Sequence, residues 1–332
     1  MVLEPPRRLV RALAEDPGAD DAAAWLDRLP ELAEAAAHHH GVRVERLLQP
    51  GGRSGVILLV RRADDTPAVL KLAPPHARPA AEAAALARWG GLGACRLLAT
   101  FVAGTEDGAE EDAGHGAAPE DSTRCGATAL ASERGLLLER LRPEISLSSL
   151  PQAKAMLEAA ETVRRLWVPV ADESPYETLA ARTERQAARM RETAAPLVLP
   201  LVENALAVRR DLLADATRPD AERVLLHGVF RQAKVLAGER LPWLAVGPEP
   251  VIGERAYDVA RLVRDRLEDL VASDGGASAA RRRVAKLADA LDLDRDRVQG
   301  WSHFRATAAG VAALAAGRRQ EGETLLEFAA WL

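Results

Sequence analysis

Lysine is scarce in this chain: Lys71, Lys154, Lys234 and Lys286 are the only four among 332 residues. Lys71 stands in the β-like run Val69-Leu70-Lys71-Leu72, and Glu82 follows eleven residues later on a helical segment. A carboxylate can hold an ammonium in place to meet phosphate oxygens. Taken alone, the two residues read as a strand lysine and an exposed helical glutamate. Gly51, Gly52 and Gly55 form a Gly-rich turn between two β-like runs. Glycine lets backbone N–H groups approach a phosphate closely, and a plain hairpin turn has the same composition. His38-His39-His40 lie at a helix end, where imidazole suits the dipole. Consecutive helical residues face different ways, so the three do not converge on one metal ion. Cys95 and Cys125 make neither a disulfide framework nor a metal spacing. No metal site is expected.

A longer pattern runs through Leu225-Leu226-His227-Gly228-Val229-Phe230-Arg231-Gln232-Ala233-Lys234-Val235-Leu236, then Val246-Gly247-Pro248-Glu249-Pro250 and Gly253-Glu254-Arg255-Ala256-Tyr257-Asp258. Upstream stand Ala24-Trp25-Leu26, Leu29-Pro30-Glu31-Leu32, Pro50-Gly51-Gly52, Thr66-Pro67-Ala68-Val69-Leu70-Lys71-Leu72 and Leu136-Leu137-Leu138-Glu139-Arg140-Leu141-Arg142-Pro143. In order and spacing these resemble the aminoglycoside/hydroxyurea phosphotransferases, the streptomycin 6-phosphotransferase-like group. The resemblance covers most of the chain.

It implies an α+β, protein-kinase-like bilobal fold. It also implies a nucleotide-binding set of Gly51, Gly52, Gly55, Lys71, Glu82 and Glu139, with Lys71 paired to Glu82 and Glu139 in the hinge between lobes. His227 and Asp258 would support the catalytic loop. The resemblance further implies three catalytic positions: an Asp that accepts the proton of the attacking hydroxyl, and an Asn and an Asp that hold magnesium. Here they carry Val229, Lys234 and Gly247. None of the three can do the expected work. Asp258 or Glu249 could stand in as a metal ligand; Glu249 lies two residues beyond Gly247, where the family tends to have Lys.

Elements of that fold are expected as follows. Residues 6–40 read as two short helices broken at Asp16-Pro17-Gly18. Val42–Leu48, Gly55–Arg61, Ala68–Leu72, Cys95–Val102 and Gly135–Leu141 read as five strands, with one main helix over Ala80–Trp89 stopped by Gly90-Gly91. Gly104–Arg134 lacks periodicity and reads as an acidic, disordered loop insertion, either a partner-docking segment or a tolerated surface insertion. Helices are expected over Ala153–Leu166, Tyr176–Ala194, Pro200–Ala216, Tyr257–Ala272, Ser278–Leu291 and Asp296–Arg319. Short β runs at Val224–Leu226, Val235–Leu236 and Trp243–Val246 carry the loop. The domain expectation is an N-terminal helical segment 1–40, a kinase-like N-lobe 41–142 with the insertion at 104–134, and a helical C-lobe 143–332 with the degenerate loop at 225–250.

Composition fits this. Apolar residues make up 48% of the chain, which supports an enzyme-sized core at this length. The net charge of −5 argues against nucleic-acid or membrane-surface partners. The two unpaired cysteines suit a reduced cytoplasm, and Met1–Pro6 leads into charged residues rather than the apolar core of a signal peptide. Carboxylates that could hold a cationic sugar are Asp172, Glu173, Glu177, Asp258 and Asp265. They are interleaved with Arg182, Arg185 and Arg189, which suits ordinary helix-surface pairing.

Three functions stay open. The first is a pseudokinase that binds a small-molecule ligand or a protein partner, with ATP admitted without magnesium. The second is an active ATP-dependent phosphotransferase, of the antibiotic-resistance type, with displaced catalytic groups. The third is a structural or regulatory partner that uses the acidic insertion.

Overall fold

The computed structural model describes residues 3–15, 21–102, 134–171, 174–214 and 222–332. The acidic insertion as far as residue 133, Cys125, Asp172 and Glu173 lie outside the described residues. The chain divides into two compact units, Met1–Gly90 with Cys95–Arg140, and Gly91–Ala94 with Leu141–Leu332.

The first unit opens with helices α1 (Arg7–Ala14) and α2 (Ala22–His39). Leu9 and Leu13 bury one stripe of α1, and Trp25, Leu29, Leu32, Ala33 and Ala36 bury one stripe of α2. Then come β1 (Arg43–Leu47), β2 (Val56–Arg61), β3 (Pro67–Ala73), α3 (Pro79–Trp89), β4 (Leu97–Val102) and β5 (Arg134–Glu139). The five strands form one antiparallel sheet in the order β1-β2-β3-β5-β4.

Strand alternation decides which side chain faces where. Val56, Leu58, Val60, Ala68, Leu70 and Leu72 share one face and join the stripes of α1 and α2 in a single core. Helices α1 and α2 therefore pack as part of this unit. Lys71, one position out of phase, lies on the other face, opposite Ile57 and Leu136 in the register. The helix α3 starts with Pro79 in its first turn and ends at Gly90, whose φ of 55° admits the left-handed cap.

The second unit holds β6 (Arg142–Ser146), α4 (Gln152–Arg164), β7 (Val168–Pro169), β8 (Glu177–Thr178), α5 (Leu179–Thr193) and α6 (Leu199–Ala214). It continues with β9 (Val224–Leu226), β10 (Val235–Ala237), β11 (Trp243–Ala245), β12 (Val251–Gly253), α7 (Arg255–Val263), α8 (Leu267–Val271), α9 (Gly276–Leu291), α10 (Arg295–Ala315) and α11 (Arg319–Ala330). Its described strands form two small sheets, β11-β10-β6 and β7-β9-β12-β8. The fold is α+β and kinase-like. Among the described residues no helix is long and apolar enough to cross a membrane.

Several elements differ from the sequence reading. The helix expected over Tyr257–Ala272 breaks at Arg266, which has a φ of 55°, so α7 and α8 are separate. The helix expected to run to Arg319 ends at Ala315. Gly317, with a φ of 74°, turns the chain into α11, which the apolar pattern did not reveal. Strands β6, β7, β8 and β12 were not expected. They are two to five residues long, too short to show alternation.

Candidate functional site

In the first unit, Lys71 and Glu82 form a buried ion pair between β3 and the first turn of α3. Lys71 is 7% exposed and Glu82 3%. The register explains it: Lys71 leaves the sheet on the face away from α1 and α2. Glu139 closes β5 by exchanging bonds with Arg96. Its carboxylate accepts the Arg96 N–H at 2.9 Å, and its own N–H donates to the Arg96 carbonyl at 2.9 Å. Burial, with the negative charges of Glu82 and Glu139, pushes the Cys95 thiol up to about 12. Cys95 is therefore an inert core residue.

The glycine turn has structural demands of its own. Gly51 has a φ of 71°, and a Cβ on Gly55 would stand 2.5 Å from the Leu72 carbonyl oxygen. Those demands account for glycine at both positions without a ligand. His39 and His40 pack their rings around Phe101, and burial, then the nearby His39, pushes the His40 imidazole down to about 4. No group of three metal-ligating side chains occurs among the described residues.

In the second unit, the loop after β9 is held by one carboxylate. Asp258, on α7, accepts the His227 N–H and the Gly228 N–H, each at 2.7 Å. Burial pushes the Asp258 carboxyl above its usual range, against the pull of those two amides and of Arg305. The His227 ring is wholly buried, lies 5.5 Å edge-on from the Phe230 ring, and has Nε2 3.2 Å from the Val246 carbonyl oxygen. Burial, with Lys234 nearby, holds it well below the usual histidine range. It is neutral, and the carbonyl fixes Nε2 as the protonated nitrogen. Gly228 has a φ of 77°, and a Cβ there would lie 1.9 Å from the Glu249 carbonyl oxygen. Only glycine fits.

Of the three positions that the resemblance assigns to catalysis, Lys234 and Gly247 meet in this unit. Val229 is 7% exposed. Lys234, at the start of the β10–β11 hairpin, donates from Nζ to the Gly247 carbonyl at 2.6 Å. A Cβ on Gly247 would stand 3.6 Å from that same Nζ. The Lys234 ammonium thus lies in front of Gly247. Glu249 is exposed, and its backbone is tied to the loop through its N–H to the His227 carbonyl at 3.0 Å.

The acidic residues weighed for a cationic ligand are engaged elsewhere. Glu177 is paired with Arg182 and with Arg185, the latter at 2.5 Å. Asp265 accepts the Gln232 N–H at 2.7 Å. Arg189 lies on exposed helix surface.

One residue of this assembly escaped the sequence reading. Arg305, on α10, donates to the Tyr257 and Gly228 carbonyls at 2.7 Å each and lies 3.9 Å over the Tyr257 ring. Burial lowers it to about 10. The sequence carried no signal for it, since His303–Thr307 is of mixed polarity and only the structure shows all five residues buried.

Comparison with known proteins bears on what this arrangement is. A profile described as aminoglycoside/hydroxyurea antibiotic resistance kinase matches residues 40–105 and 101–317. The chain belongs to that family. Its relatives include a streptomycin 6-kinase of Streptomyces glaucescens, 28% identical over 92% of this chain and 89% of that protein. A hydroxyurea phosphotransferase of Kitasatospora aureofaciens is 29% identical over 84% of this chain and 71% of its own length. Among solved structures, an apo thermostable mutant of aminoglycoside phosphotransferase APH(4)-Ia superposes with a TM-score of 0.57 at 14% identity, covering 90% of this chain and 96% of the other. The microcompartment-associated aminopropanol kinase gives 0.55 at 14% identity, over 91% and 94%. At such identities the structural likeness establishes the kinase-like fold alone.

Kinases of this family are read as using magnesium, a hard cation that requires oxygen ligands. At the two positions that the resemblance assigns to it, this chain presents an ammonium and a glycine bonded to each other. Side-chain oxygen donors are missing from both, so these residues do not fit the ion.

Proposed function

We propose that this member of the aminoglycoside/hydroxyurea kinase family is a ligand-binding pseudokinase. It retains a kinase-like scaffold and transfers phosphate poorly or not at all. The observation that supports the reading is the bond from Lys234 Nζ to the Gly247 carbonyl, which joins the two positions that the resemblance assigns to metal ligands. The buried Val229 adds to it, since a valine accepts no proton from an attacking hydroxyl. A general base supplies roughly 10²–10⁴ in rate, and metal neutralisation of the transferring phosphate supplies several kcal/mol more. Losing both leaves little turnover.

In this reading Lys71, Glu82, Glu139 and the turn Gly51, Gly52, Gly55 form the nucleotide-facing part of an N-lobe at 41–142. His227 and Asp258 keep the shape of the loop at 225–250 in the C-lobe at 143–332. Solved relatives have been captured with AMP-PNP and hygromycin B, or with GDP and kanamycin. ATP is accordingly the nucleotide to try, bound without magnesium, with Lys71 as the residue to meet its phosphates.

A second reading is an active phosphotransferase with displaced groups. The buried Lys71–Glu82 pair favours it, because the phosphate-binding lysine is kept and oriented. It requires a carboxylate to take over from Val229 and Gly247, with Glu249 the candidate. Transfer of labelled phosphate from ATP to streptomycin and to hydroxyurea, with and without magnesium, separates the two. The pseudokinase reading expects background incorporation in every case. Magnesium-dependent product that disappears in Glu249→Gln establishes the second reading instead.

A further inference from the structure

The N-terminal helices do more than fill the core. Leu3, Leu9 and Leu13 join Val56, Leu58, Leu70 and Leu72 on the face of the sheet away from Lys71. From that side the same segment takes hold of two loops of its own unit. One is the glycine turn that leads into β2. The other is the turn Pro75–Ala77, which lies between Lys71 on β3 and Glu82 on α3.

Pro6 holds the first loop. Its carbonyl accepts the Leu9 and Val10 N–H groups at 2.8 and 3.2 Å and so closes the first turn of α1. Its ring is buried against Gly51: a Cβ on that glycine would stand 3.0 Å from Pro6 Cγ and 3.1 Å from the Leu48 carbonyl oxygen. Gly51 is thus wedged between α1 and the end of β1, closer than ordinary van der Waals contact would allow a side chain. Glu15, at the other end of α1, accepts from Arg11 Nε at 2.9 Å and lies 3.8 Å from a guanidinium nitrogen of Arg53 on the same glycine turn.

Asp21 holds the second loop. It is the N-cap of α2, a place where aspartate ordinarily bonds the first amides of its own helix. Its carboxylate makes no such bond. Oδ1 instead lies 2.8 Å from Nδ1 of the half-buried His76, 55 residues away in the sequence. A capping carboxylate that leaves its own helix for a distant loop is placed to fix that loop.

We propose that Pro6 and Asp21 are positioning residues for nucleotide binding, which hold the glycine turn and the turn Pro75–Ala77 in place from the face away from Lys71. The proposal rests on the reading that ATP meets Lys71 and the glycine turn. It gives α1 and α2 a part in affinity as well as in stability, because a loop fixed before its ligand arrives loses less conformational freedom on binding.

The test pairs amide hydrogen exchange of the full chain with calorimetric titration of ATP. In Pro6→Ala, exchange over residues 50–55 should quicken about tenfold. In Asp21→Ala, exchange over residues 76–78 should do the same, as for loss of about one hydrogen bond of local stability. Exchange over α10 should stay as in the wild type, which separates local loosening from global unfolding. ATP should bind about fivefold or more weakly in each variant, the cost of ordering a loosened loop. Asp21→Asn keeps an oxygen that accepts from His76 and should restore both readouts. Arg8→Gln, on the exposed face of α1, should behave like the wild type. If Pro6→Ala does not fold, the Asp21→Ala and Asp21→Asn pair decides alone. Unchanged exchange in both loops overturns the proposal. So does a lower melting temperature with unchanged ATP affinity, the result of a merely structural role. ATP binding that no variant weakens removes this proposal and keeps the nucleotide reading. No ATP binding by the wild type removes the nucleotide reading, and exchange then decides by itself whether the two loops are held.

Discussion

At the scale of the residue, the loop after β9 is specified by a position that admits only glycine. Gly228 is fixed by a positive φ and by a carbonyl 1.9 Å from where a Cβ would stand. Gly228→Ala should destabilise the protein by about 3 kcal/mol or more, the range for strain that the backbone must absorb, measured by urea unfolding. Val229 is a different case. It is buried beside a loop whose amides are already taken by Asp258. Val229→Asp alone should lower stability by roughly 1–3 kcal/mol, as expected for a poorly compensated buried polar group. Magnesium should recover little of the loss, because Lys234 and Gly247 supply no side-chain oxygen. A change within about ±0.5 kcal/mol would mean that position 229 opens to water. The residue chemistry here was legible in the sequence: the types at 227, 229, 234, 247 and 258 were read in order. Their distances were not, and the Lys234–Gly247 contact is visible only in the structure.

At the scale of the element, Arg305 joins α10 to α7 and to the loop through two carbonyls and the Tyr257 ring. Arg305→Met keeps much of the volume and removes the charge and both bonds. It should cost about 3 kcal/mol or more, since two buried acceptors and the Asp258 carboxylate lose their cation together. The check is urea unfolding alongside Arg305→Lys, which should recover part of the loss; equal stability of the Met variant and the wild type would show that the cation is dispensable. Sequence reading found the elements with strong periodicity. Lys71 and Glu82 were expected to pair, and alternation along β3 supplies the reason that they can. It missed β6, because Arg142-Pro143-Glu144-Ile145-Ser146 has no apolar alternation and pairs through its backbone. It missed α11, because a positive-φ glycine at 317 interrupts an otherwise continuous pattern. Arg305 was missed because a buried arginine looks, in one dimension, like any helical arginine.

At the scale of the whole molecule, the buried ionisable groups set a pH dependence. His227 and His303 are both lowered by burial, and His40 is lowered to about 4. A histidine whose folded value lies below the unfolded 6.5 favours the fold in its neutral form. Its contribution is complete above that pH and is lost as pH falls through the window below it, at up to about 1.4 kcal/mol per pH unit per proton. Asp258 and Asp265 are raised, so their contributions fall as pH rises from about 4 and offset part of this trend. Stability should therefore drop between about pH 6.5 and 5, and His227→Gln should flatten the slope; a profile unchanged by that substitution would show that His227 does not titrate on unfolding. The family and the kinase-like architecture were readable from motif order across the chain. The proposed function turns on Val229, Lys234 and Gly247. The most direct measurement is calorimetric titration with ATP, with and without magnesium, of the wild type and of the triple variant Val229→Asp, Lys234→Asn, Gly247→Asp. The wild type should bind ATP equally well, or equally poorly, in both conditions, and the folded triple variant should gain a magnesium-dependent component. Magnesium-dependent ATP binding by the wild type would contradict the account.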